Sequence, residues 1–164
     1  MKKTLLSLLF LTIVIFGFSQ VSSIKVLIGN TDVETTNYLD SLNHLKSNPY
    51  YNVEKDVTSN GDLFLKNEFA LRDEAFYGCF GIYATFLRIE GVEYCISQIV
   101  IGTSQNALRN LNFLKDNFKQ TSATVWERPF KTDNVYKIVA TFSREDKGNS
   151  SYYKIAYDLV KISQ

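Results

Sequence analysis

The chain has 164 residues, 45% of them apolar and 21% charged, with 18 Lys and Arg against 17 Asp and Glu. That length allows one domain or two very small ones, and a core large enough to fold without metal or disulfide staples. An aromatic content of 14% with only two prolines excludes a disordered, collagen-like or coiled-coil chain, and the balanced charge excludes a strongly basic nucleic-acid binder.

Residues 1–19 have the pattern of a cleaved signal peptide. Met1-Lys2-Lys3 is a short basic start, and Leu5 to Phe18 is an apolar run broken only by Ser7, Thr12 and Gly17. Gly17 and Ser19 are the small residues that signal peptidase requires, so cleavage is expected after Ser19, leaving Gln20 as the mature N-terminus. The other reading is an uncleaved anchor, but crossing the hydrocarbon core takes about 20 residues and this run is shorter. Loss of Lys2 and Lys3 leaves 16 basic residues against 17 acidic, a net charge of −1. The remaining charges are interspersed, so nucleic acid and an anionic membrane are not expected partners. Every later apolar stretch carries a charge, and no stable membrane insertion is expected after cleavage.

In chain order, Ile24–Ile28 reads as a short strand ending at Gly29. Thr31 or Asp32 caps a helix predicted from Asp32 to Ser47, with Val33, Leu39, Leu42 and Leu45 as its apolar stripe and Tyr38 alongside. Asn48-Pro49 ends it. Tyr51, Val53 and Val57 alternate with polar residues as a half-exposed strand, and Asn60-Gly61 turns the chain. Leu63, Leu65, Phe69 and Leu71 share one face of the next strand. Residues 75–89 are apolar on both faces and read as a central strand, with Gly78 and Gly81 suggesting a bulge or bend. Glu90-Gly91 turns into its partner, residues 92–101. Thr103 or Ser104 caps a second helix, about 104–119, with Leu108, Leu111, Leu114 and Phe118 facing inward. Thr121–Glu127 reads as one strand before Arg128-Pro129, and Val135–Arg144 and Tyr152–Ile162 as a long hairpin.

The predicted order is β-α-β-β-β-β-α-β-β-β, an α+β fold with a mainly antiparallel sheet and two helices packed on one face. Residues 20–164 form a single domain, since no turn is long or Pro/Gly/Ser-rich enough to be a linker. Two units of helix followed by a strand meander are visible, without matching residues at a fixed period.

An exported chain with two cysteines invites a disulfide. Pairing Ile89 with Val92 sets Cys95 opposite Phe86 and Cys79 opposite Gly102. The two thiols are then about 23 Å apart at about 3.3 Å per residue, whereas a bridge needs Cα atoms within about 7 Å. Cys79 and Cys95 are therefore expected to remain unbridged and to pack as small hydrophobes.

No convergent catalytic set is legible. One histidine, His44, and two distant cysteines do not make a metal centre, and no cofactor is implied. A Cys79–His44 pair needs tertiary folding to meet. Gly-x-Ser-x-Gly and phosphate-loop patterns are absent. Tyrosine is the unusual residue, with ten copies. Tyr50-Tyr51 and Tyr152-Tyr153 are adjacent pairs on strands, so one ring of each pair faces away from the core, where it either forms a recognition surface or packs across strands. The leading expectation is an exported, periplasmic or extracellular, non-enzymatic domain that binds another macromolecule, as an inhibitor, immunity-type protein or envelope-complex subunit does. A carrier with a pocket for an apolar or sugar ligand between sheet and helices is the second reading, and a hydrolase the third. Mass spectrometry of the exported protein is expected to find Gln20 as its first residue. A chain that keeps Met1–Ser19 overturns the leader assignment.

Overall fold

The computed structural model describes residues 23–44, 54–68, 78–131, 135–148 and 150–162, without the side chains of residues 43, 44 and 147. Expectations for the signal peptide with Ser19 and Gln20, for Tyr50 and Tyr51, for residues 69–77 and for the His44 side chain lie outside the described residues. The elements are α1 (Asp32–His44), β1 (Glu54–Val57), β2 (Leu63–Glu68), β3 (Cys79–Ile89), β4 (Val92–Gly102), α2 (Ser104–Asn117), β5 (Lys119–Ser122), β6 (Val125–Phe130), β7 (Tyr136–Lys147) and β8 (Ser150–Lys161). The eight strands form one sheet in the order β1-β2-β3-β4-β8-β7-β6-β5, and every neighbouring pair is antiparallel. The fold is α+β and mostly sheet. Each helix is followed by a four-strand meander, and the two meanders meet at β4 and β8.

Two expected elements differ. Residues 24–28 are not a strand of the sheet, and the segment expected as one strand is the tight β5–β6 hairpin. Pro129 fits inside β6 because β5 stops pairing at Lys119 and Glu127, so the missing N–H faces no strand.

Both helix starts follow from local chemistry. Thr31 and Glu34 form a capping box: the Glu34 N–H donates to Thr31 Oγ1 (3.2 Å), and the Thr31 N–H donates to Glu34 Oε2 (2.8 Å). The Thr31 N–H and the Thr31 hydroxyl, both donating to Glu34 Oε2, hold the Glu34 carboxyl below its usual range. Thr103 caps α2, its hydroxyl accepting from the Asn106 N–H. The inner faces are partly the expected ones: Leu39 and Leu42 of α1 and Leu114 and Phe118 at α2 are buried, but Val33 and Leu108 are exposed, and Thr35, Asn106, Ala107 and Asn110 are buried as well. Asn110 tolerates burial in part because its Nδ2 donates to Asn106 O (2.9 Å).

The core lies along one face of the sheet. Register aligns Leu65, Ala84, Gln98, Tyr157, Ala140 and Trp126 in one row across six strands, all buried. The next row runs through Asn67, Ile82, Val100 and Ile155. Leu39 and Leu42 of α1 and Leu114 of α2 belong to the same cluster. The opposite face carries Lys66, Tyr83, Ile99, Ala156 and Thr141, none of them buried. Lys66 there pairs with Glu54 and Glu68. Strand β3 is thus buried on one face only, contrary to its apolar sequence, and Leu87 and Ile89 are exposed.

Gln98 holds the start of the described chain in place. Its Oε1 accepts from the Leu27 N–H (2.8 Å) and its Nε2 donates to Lys25 O (3.0 Å). One side-chain amide thus does for residues 25–27 what a strand neighbour does for a ladder. Replacing Gln98 by Leu strands the Leu27 N–H in the core, and an orphaned buried donor costs about 1–3 kcal/mol. Urea unfolding of Gln98→Leu is expected to show that loss. An unchanged midpoint with an unchanged slope shows that the amide contributes nothing.

Candidate functional site

The β4–β8 ladder runs from Gly102 opposite Tyr153 to Ser97 opposite Asp158 and then stops, although both strands continue. Its last rung is tied by Ser97 Oγ donating to Asp158 Oδ1 (2.7 Å). Beyond it the register of β3 and β4 shifts between Thr85 and Phe86, leaving Ile96 as the extra residue of a bulge. The bulge turns the backbone of Cys95 toward the side where β8 would have continued. There the Gly29 N–H donates to Cys95 O, and the Cys95 N–H donates to Asn30 O, each at 2.8 Å. Thr31 completes this short bridge against Tyr94. The turn before α1 is therefore a wedge between the two halves of the sheet.

Gly29 suits the wedge for two reasons. Its φ is +85°, and a Cβ there would sit 2.6 Å from Phe130 Cζ. Phe130 lies over this glycine and ties the wedge to the second meander.

Between the wedge and the end of β8 lies an open cleft of about 390 Å³. Leu87, Ile89, Tyr94 and Ile96 line it from the first meander, and Phe130, Tyr136 and Leu159 from the second. Lys131 is the charged residue of its lining. Lys131 has a φ of +61°, and its ammonium sits 5.1 Å from the centre of the Phe130 ring.

The other hairpin of the central pair is an internal comparison. Ile89 and Val92 flank the two-residue turn between β3 and β4, and Lys147 and Ser150 hold the same places at the turn between β7 and β8. Two rungs back, Leu87 opposite Tyr94 corresponds to Glu145 opposite Tyr152. The second tip is polar, with Arg144 Nε and Ser151 Oγ both donating to Asp146 Oδ1. The first tip has the same backbone plan but bare apolar side chains.

The sequence-predicted residues do not form this site. Tyr152 meets the Phe80 ring edge-on at 5.7 Å, and Tyr153 stacks on Phe142 at 6.0 Å. Both tyrosines lie toward the opposite end of β8 from Leu159. No disulfide joins Cys79 and Cys95, which sit opposite Gly102 and Phe86. Both thiols are fully buried beside bulges, each reaching the carbonyl two residues on. Among the described residues no three His, Cys, Asp or Glu side chains converge as a metal site. Sequence reasoning missed Leu87, Ile89, Lys131 and Tyr136. The available signal was the contrast between the two hairpin tips, Leu-Arg-Ile against Glu-Asp-Lys.

Burial pushes the Cys95 thiol up to about 12, which leaves it protonated near neutrality. In a Cys79→Ala background at pH 8, Cys95 is expected to react with Ellman's reagent at once when unfolded and only as fast as opening allows when folded. Immediate reaction of the folded form places the thiol in solvent. Comparison with known proteins finds no matching family model, no similar curated protein and no similar solved structure.

Proposed function

We propose that the protein is an exported, non-enzymatic binding domain, and that a protein of the envelope or the cell exterior docks on the splayed end of the sheet. The observation that carries this reading is where exposed apolar surface accumulates. Among the described residues ten large apolar side chains are exposed, and Leu87, Ile89, Val92, Val135, Tyr136, Val160 and Ile162 belong to this one end. Register keeps them together: Ile89 opposes Val92, Tyr136 opposes Lys161, and the Ile162 N–H donates to Val135 O. A soluble monomer rarely leaves such a patch bare unless something binds it. A rim of exposed side chains around a cleft, with two tyrosines inside it, suits a protein surface with an aromatic anchor. The equivalent β7–β8 tip is polar, so the fold itself does not demand apolar residues at such a place.

A second reading, a carrier of a small apolar ligand, draws on the cleft volume of about 390 Å³, within the range of ligand pockets. The cleft opens between the two half-sheets, rather than between sheet and helices as the sequence reading had it.

Tagged protein incubated with envelope and secreted fractions is expected to retain a stoichiometric protein partner. Leu87→Asp/Ile89→Asp, which alters exposed side chains, is expected to lower retention at least tenfold with an unchanged circular dichroism spectrum. Arg144→Ala on the opposite tip is expected to retain the partner. Retention that the apolar-tip variant does not change removes this site from the interaction, and an empty capture moves the weight to a small ligand.

A further inference from the structure

The cleft has one charged residue in its lining, Lys131, placed just after the end of β6. Among the described residues no carboxylate pairs with it, and its ammonium rests against the Phe130 ring. Arg88 and Glu93 of the apolar tip neutralise each other, while Glu90 in the hairpin turn and Lys161 on β8 lie outside the lining. The backbone also sets Lys131 apart. Its φ of +61° is left-handed, a conformation that strains a residue with a Cβ and glycine hardly at all. The turn by itself therefore calls for glycine, and a cation held there against that strain bears on what the cleft receives. Four exposed apolar residues of the same end, Val92, Val135, Val160 and Ile162, also lie outside the lining. A small ligand that filled the cleft would leave them in water, whereas a protein surface covers cleft and rim together.

We propose that the docking partner seats a bulky apolar side chain in the cleft and sets an Asp or Glu, within two residues of it, against Lys131. The inference rests on the docking reading above and names its partner's chemistry. A cation in an apolar lining favours a carboxylate and repels a second cation, so Lys131 selects among partners that are equally apolar. The Phe130 ring already holds the ammonium at the cleft, so less side-chain freedom is lost when the carboxylate arrives.

The test selects a random dodecapeptide library displayed on phage against the protein purified after expression with its own leader. The strongest binders are synthesised and their affinities measured by calorimetry. They are expected to carry a bulky apolar residue within two positions of an Asp or Glu, and to lose binding to Leu87→Asp. Lys131→Glu is expected to weaken them at least tenfold, and exchanging the peptide's acid for Lys is expected to restore binding to that variant. Lys131→Gly keeps the turn and relieves its backbone. It is expected to unfold at an unchanged or higher urea concentration while binding the acidic peptide at least threefold more weakly. Decanoate, a free apolar acid, is expected to bind at least tenfold more weakly than the peptide. Decanoate binding as tight as the peptide's makes the occupant a small amphiphile and overturns the protein partner. Peptides that lose binding to Leu87→Asp but bind Lys131→Glu as well as the unaltered protein overturn the acidic partner and keep cleft docking. Peptides indifferent to Leu87→Asp, or no enrichment at all, overturn both.

Discussion

One buried amide organises the centre of this protein. Gln98 lies in the middle of β4, directly opposite Tyr157 on β8, where the two meanders join. It bonds the backbone of residues 25 and 27 without a strand partner, and so brings the chain before α1 across the sheet. A few residues later the same segment reaches Cys95 and closes the β8 side of β4. The cost of leaving buried backbone groups unpaired makes this route strongly preferred, because residues 24–28 are mostly buried and belong to no ladder. The wedge, the bulge at Ile96 and the end of the β4–β8 ladder are parts of one arrangement. Its consequence is a cleft between the two half-sheets beyond the last β4–β8 rung.

The two units share a topological plan and differ in chemistry. In each, a capped helix precedes a four-strand meander whose last strand lies at the centre. The second unit closes its hairpin tip with charge and hydroxyl groups around Asp146. The first leaves Leu87, Ile89 and Val92 bare, with an Arg88–Glu93 pair between them on the surface. Such an exposed pair adds little stability. The contrast matters because both tips close over a two-residue connection, so that connection does not itself require an apolar tip.

Much of the fold was legible. The Glu90-Gly91 turn fixed the hairpin register, and Cys95 sits opposite Phe86 and Cys79 opposite Gly102 as the pairing rule implied. Those two pairs agree because the shifts near Cys79 and Phe86 compensate one another, which a simple rule could not reveal. Thr31 with Glu34 marked the first helix start, and Thr103 the second. The inner helix faces were less legible. Periodicity favoured Val33 and Leu108, but α1 turns Thr35 inward, and α2 turns Asn106 and Asn110 inward, where a hydrogen bond between the two amides and the close approach of Asn106 to Gly102 suit small polar groups. The apolar odd positions of β3 read as a second buried face, yet nothing among the described residues buries Leu87 and Ile89.

The candidate site was almost invisible in the sequence, because its residues come from six separate stretches of chain. By itself the sequence determined the class of fold, the turns at Asn60-Gly61 and Glu90-Gly91 and the unbridged separation of the cysteines, since each depends on neighbours along the chain or across one hairpin. Tertiary structure alone decided that β4 pairs with β8, that the turn at Gly29 enters between them, and that Leu87, Lys131 and Leu159 share one cleft. Those outcomes depend on contacts between residues tens of positions apart, where burial and hydrogen-bond satisfaction are settled together and no local pattern records the result.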